Sequence, residues 1–373
     1  EIRIRDWSSD VCSSDLGGRV YLAPTAEQEE IANSAVPQWK PDTELICKSG
    51  VINAPLYGMT KHADLFTPRQ LVALTTFSDL VGEARERAAA DAVAAGLPDD
   101  DVPLSEGGTG ARAYGEAIGT YLGFGISRAA NTLCTIARWT ASRDQTVTAF
   151  ARQAVPMTWD YPDVNPFSGA AGDLEVSLSS ICEVLEKACM NQFGKVIQHN
   201  AITPHPHDTT PKLISTDPPY GDNIGYADLS DFFYVWLRRS LGSTYPNICS
   251  TLLVPKVQEL VATPYRFGGS KKKAQDFFEK GLGKAFNRLN GVTSPQYPVT
   301  IFYAFKQQEQ DNKEEGAIAS TGWEKMLEGL ITDNFSINGT WPMRSEMSNR
   351  MVASGTNALA SSIVLVCRPR PTN

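Results

Sequence analysis

Beyond Gly194 the chain alternates short apolar runs with longer amphipathic segments, and this alternation narrows the possible folds more than any other feature. Val299-Thr300-Ile301-Phe302-Tyr303-Ala304-Phe305 is rich in β-branched and aromatic residues and is the clearest buried strand. Lys195-Val196-Ile197-Gln198, Lys212-Leu213-Ile214-Ser215, Phe335 to Trp341 and Ser361 to Cys367 are further strand candidates. Tyr226 to Leu241, Lys271 to Leu289 and Thr321 to Thr332 carry helical spacing. Strands separated by helices predict an open, mostly parallel α/β sheet.

The chain before Gly194 reads differently. Residues 17 to 58 are Pro-rich without a sustained period and predict an irregular lead-in. Thr67-Pro68 supplies a cap residue and a proline at the first helical position, and Leu71, Leu74, Phe77, Leu80 and Val81 follow at helical spacing. Further helices are expected over about Ala111 to Ser142 and Leu174 to Gln192. The expected organisation is therefore a lead-in and helical region over 17–193, then an α/β domain over 194–373. Residues 1–16 stand apart. They repeat Ser-Ser-Asp, show no hydrophobic period, and back-translate to a common sequencing-library adapter, so they are read as an artefact and not as a signal peptide.

Composition excludes some function classes. No apolar run approaches the eighteen or so residues of a membrane span. The seven cysteines include no C-x-x-C pair, which points to a reduced, cytoplasmic setting and away from a zinc site. The net charge of −8 argues against a general polyanion binder. Between Trp236 and Lys306, however, eleven Lys/Arg face three Asp/Glu, a local balance of +8 that leaves −16 for the rest. Such asymmetry marks either a nucleic-acid face or a solvated surface.

Asp217-Pro218-Pro219-Tyr220 follows directly on a strand candidate, where an open α/β sheet places its ligand-facing loops. Two adjacent prolines cannot continue a ladder, so the strand stops and the loop is stiff. The residue types suit transfer to an exocyclic amino group, whose lone pair is conjugated with its ring. The Asp217 carboxylate and the Pro218 carbonyl can each accept one amino hydrogen, which localises the lone pair. Tyr220 offers a face on which an extruded base can stack, worth on the order of 1–3 kcal/mol. A plain turn uses the same residues as cap, stiffener and packing group.

The motif resembles the D-P-P-Y motif of amino-methyltransferases. With Asp222 to Arg239, Leu65 to Gln70, Val299 to Lys306, Thr340 to Arg344 and Asn357 to Ser362, it is similar to the large adenine-specific DNA methylases that carry an inserted zinc ribbon and occur in phage-defence loci. The resemblance covers about Tyr57 to Pro371. It implies a Rossmann-like domain, S-adenosyl-L-methionine as methyl donor, adenine in DNA as acceptor, and other defence proteins, such as a helicase, as partners. It also implies a glycine-rich cofactor loop and a zinc ribbon upstream. Neither is found after residue 17, so the chain reads as an internal fragment with the C-terminal half of the sheet.

Several weaker signals accompany the motif. Phe66-Thr67-Pro68 resembles the element that helps hold S-adenosylmethionine in many amino-methyltransferases, and equally fits a helix cap. Asn165 to Gly172 imitates a cofactor loop but lacks the leading acid and a preceding strand, so an ordinary loop is expected. His205 and His207 lie in a Pro-rich loop without partnered acids and are expected as surface residues, not metal ligands. Tyr265, Arg266, Lys271, Lys272 and Lys273 combine an aromatic, basic groups and flexible glycines, which suits contact with DNA phosphates. RNA or cytosine as acceptor, and a catalytically silent DNA-binding subunit, are the alternatives to an adenine methylase.

Overall fold

The computed structural model describes residues 22–48, 51–142, 145–151, 153–169, 172–188, 194–205, 210–219, 224–304, 321–343 and 362–370. They form a mixed α/β protein with seven α-helices and two small sheets among the described residues. The chain divides into two units: Glu1–Phe193 with Tyr226–Lys256, and Gly194–Gly225 with Val257–Asn373. The boundary expected at Gly194 is therefore crossed once, because the helix after the D-P-P-Y segment belongs to the first unit.

In the first unit, α1 (Ala26–Asn33) lies where the sequence predicted irregular chain. Its signal is local: the Thr25 hydroxyl accepts from Gln28 N while the Gln28 side chain accepts from Thr25 N. The same reciprocal box, with Thr67 and Gln70, starts the long helix α2 (Pro68–Ala94). α3 (Ala111–Ala130) ends twelve residues before the predicted Ser142, and the chain then makes a short antiparallel hairpin of β1 (Arg138–Thr140) and β2 (Gln145–Val147). Helix α3 packs tightly on α2: a Cβ at Gly115 would lie 2.5 Å from the Arg85 carbonyl oxygen, so only glycine fits there. α4 (Leu174–Lys187) and α5 (Tyr226–Leu241) complete the unit by packing on α3.

Helix α5 supplies the centre of this core. Trp236 and Phe232 are fully buried, and Phe66 stacks on Phe232 at 5.4 Å and meets Trp236 edge-on at 5.2 Å. Phe150 adds a further edge contact to Phe232. Burying each such ring contributes roughly 1.5–3 kcal/mol, before any ring–ring term.

The second unit is built on a four-stranded sheet of order β3-β4-β6-β5, from β3 (Ser215–Thr216), β4 (Val299–Ala304), β5 (Phe335–Met343) and β6 (Ser362–Pro369). β3 and β4 are parallel, but β6 runs antiparallel to both β4 and β5. The mostly parallel sheet expected from the sequence is thus a mixed one. β3 to β4 has the long crossover that a parallel pair needs, whereas β5 and β6 pair antiparallel. Lys195 to Gln198 form no strand, and Val196 is almost wholly exposed. The strand expected at Lys212 to Ser215 shrinks to Ser215–Thr216, with a single bridge from Lys212 to Thr293.

Strict alternation on β4 buries Val299, Ile301 and Tyr303 against α6 (Lys271–Val292) and α7 (Thr321–Thr332). Cys367 and Leu365 pair across with Val299 and Ile301, which brings them to the same face. Phe278, Leu282 and Phe286 of α6 and Met326 and Leu330 of α7 cover that face. Among the described residues no helix is long and apolar enough to cross a membrane.

Candidate active site

Asp217, Pro218 and Pro219 leave the carboxyl end of β3. The strand is held to β4 by Thr300 N donating to the Ile214 carbonyl at 3.0 Å and Thr300 Oγ1 donating to Ser215 Oγ at 3.0 Å. The ladder then ends, since neither proline has an N–H to donate. Asp217 is exposed and the two prolines are half-buried. Tyr220 lies outside the described residues.

Phe66, Thr67 and Pro68 belong to the first unit. The Phe66 ring is committed to the aromatic core, and the Thr67 hydroxyl accepts Gln70 N at 3.2 Å as the α2 cap. Pro68 is the first residue of α2. In the Asn165–Gly172 segment, Ala170 and Ala171 lie outside the described residues. Fully buried Asp173 caps α4, its Oδ1 accepting from Val176 N at 2.7 Å, and its Oδ2 accepts from Gly169 N at 2.6 Å.

The basic segment divides into two parts. Arg266 is half-buried, 2.6 Å from Glu259 Oε2, and its Nε donates to the Tyr265 hydroxyl at 3.1 Å. Lys271, Lys272 and Lys273 are exposed in the first turn of α6, behind the Ser270 cap. His205 packs edge-on to His199 at 4.8 Å, and His207 lies outside the described residues. Among the described residues no three His, Cys, Asp or Glu side chains converge as a metal site.

One cluster was missed by sequence reasoning. Buried Asp231 of α5 accepts Lys256 Nζ at 2.7 Å on Oδ2 and Val254 N at 2.8 Å on Oδ1. Burial pushes the Asp231 carboxyl upward, and Lys256 and the Val254 N–H oppose this. Buried His62, whose Nδ1 lies 3.1 Å from the Thr43 carbonyl, is in the same electrostatic neighbourhood and is pushed downward chiefly by burial. The available signal was an acid on an apolar side of α5, where Asp231 lies beside Phe232 and one turn before Val235. Comparison with protein-family models, curated proteins and solved structures finds no match.

Proposed function

We propose that this chain is part of an enzyme that methylates the exocyclic amino group of adenine in DNA. The observation that carries the reading is Asp217-Pro218-Pro219 leaving the carboxyl end of a strand in a parallel pair, with Asp217 exposed. Open α/β sheets bind their ligands at that end. Asp217 accepts one amino hydrogen and the Pro218 carbonyl the other, so the nitrogen lone pair is withdrawn from the ring and presented for attack. Tyr220 stacks on the base. S-adenosylmethionine is the donor that the resemblance to adenine-specific DNA methylases implies, and the chemistry these residues supply is confined to the acceptor.

Transfer of labelled methyl groups from S-adenosylmethionine to DNA, followed by mass spectrometry of the product nucleosides, tests this. N6-methyladenine is expected, with Asp217→Ala lowering the rate by about 10²–10³, the usual cost of one preorganised polar partner. Label in N4-methylcytosine or only in RNA changes the acceptor. An Asp217→Ala protein as active as the wild type sinks the assignment.

A further inference from the structure

Helix α6 carries a row of basic residues that the reading of Lys271 to Lys273 does not absorb. Lys273, Lys280, Lys284 and Arg288 recur at intervals of seven, four and four. At about 100° per residue they fall within a sector of about 80°, and with a rise of about 1.5 Å per residue they extend for about 22 Å. The core positions Ala274, Phe278, Leu282 and Phe286 occupy the opposite side. Lys273, Lys280 and Lys284 are exposed, and among the described residues none of the three is within ion-pair distance of a carboxylate. Asp276 lies beside the row, and Asp333 Oδ2 comes within 3.4 Å of a Cβ built at Gly283 on the same flank, whereas Glu279 faces Gln275 and Lys325.

This arrangement works against the helix itself. Cations in the first turn oppose the macrodipole, and like charges four residues apart repel. Solubility does not require it in a chain with a net charge of −8. An interfacial membrane helix is a poor alternative, because the apolar side of α6 is already spent on the core.

Topology gives the row a direction. α6 lies in the crossover between the parallel strands β3 and β4, and Lys212 N at the approach to β3 donates to the Val292 carbonyl at the end of α6, at 2.7 Å. The helix therefore runs back along the sheet, and its lysine-bearing first turn points toward the end from which Asp217 emerges.

We propose that the solvent face of α6, through Lys273, Lys280 and Lys284, is a track for the phosphate backbone of duplex DNA that leads to the Asp217 turn. This rests on the proposed function for its choice of partner. The contacts carry no base information, so they position DNA and do not select sequence.

Fluorescence anisotropy of the full chain with labelled duplexes of unrelated sequence, across a salt series, tests the track. Replacing Lys273, Lys280 and Lys284 with Gln is expected to weaken binding on the order of 10²-fold near 0.1 M salt for every duplex. The slope of log K against log salt should fall by up to about three, near 0.9 per lost contact. A control with Lys40, Lys61 and Lys187 changed to Gln alters net charge equally and should bind as the wild type does. Equal losses in both triple variants, an unchanged slope, or wild-type binding to anionic vesicles or an acidic polypeptide with none to DNA would overturn the track. The methyl-transfer assay separates the two claims. Transfer with an unaffected triple variant leaves the function and removes the track, whereas α6-dependent binding without transfer leaves the track and removes the function.

Discussion

The carboxylate of Asp231 lies 2.7 Å from the ammonium of Lys256, inside the first unit and twenty-five positions along the chain. Both partners are largely removed from water, and Asp231 also accepts the Val254 N–H, so the pair ties the chain following α5 back onto the helix. Breaking such a pair leaves one charge uncompensated. Asp231→Ala should therefore destabilise the protein by about 3 kcal/mol, and Asp231→Asn by less, since its amide oxygen still accepts from Val254 N. Urea titration measures this, and equal stability of the three proteins would show that the pair contributes nothing.

His62 predicts a pH dependence. Its folded-state value is lowered by burial, so the unfolded chain takes up the proton first and stability falls as pH drops below about 6.5, the ordinary histidine value. Asp231, shifted upward, acts in the opposite direction: its contribution is fullest below its ordinary value and declines as pH rises through the folded one. Melting temperatures of the wild type and His62→Gln between pH 7.5 and 5.5 isolate the histidine. The wild type should lose more stability on acidification than the variant, and parallel curves would contradict this.

The Thr67 hydroxyl caps α2, and replacing a capping threonine costs about 1 kcal/mol. Thr67→Ala should lower the melting temperature, whereas Thr67→Ser should restore it. If Thr67→Ala instead leaves stability intact and weakens S-adenosylmethionine binding in calorimetry, the residue serves the cofactor and not the helix.

Asp173 is the internal anion of the Asn165–Gly172 loop. Asp173→Ala removes a helix cap and leaves Gly169 N and Val176 N without their acceptor, costing on the order of 2 kcal/mol or more. Chemical denaturation should show the loss, and a neutral result would mean that the loop does not depend on this carboxylate.

For Tyr220, stacking predicts that Tyr220→Phe retains most methyl transfer while Tyr220→Ala loses about 1–3 kcal/mol of base binding. Steady-state kinetics on a DNA substrate distinguish the two. Equal damage from Phe and Ala would assign the effect to the hydroxyl.

What the sequence by itself determined is local. Thr67-Pro68 specified the start of α2, and the 3.6-residue spacing of Tyr226 to Leu241 and Thr321 to Thr332 specified α5 and α7 to the residue. Alternation of Val299, Ile301 and Tyr303 specified β4 and its buried face. The prolines after Asp217 specified a strand end there. Each is a short-range effect of capping, side-chain period or a missing donor, and is written in neighbouring residues.

Only the tertiary structure decided which elements share a core and which polar groups meet. The place of α5 beside Phe66, the antiparallel insertion of β6, the ion pair of Arg266 with Glu259 and that of Asp231 with Lys256 all depend on partners that chain spacing does not encode. Lys195 to Gln198 and Lys212 to Ser215 illustrate the limit. Their composition suits a strand, but a strand exists only where a neighbour supplies the other half of the ladder; among the described residues β4 pairs here only with Ser215 and Thr216, and Lys212 makes one bridge to Thr293.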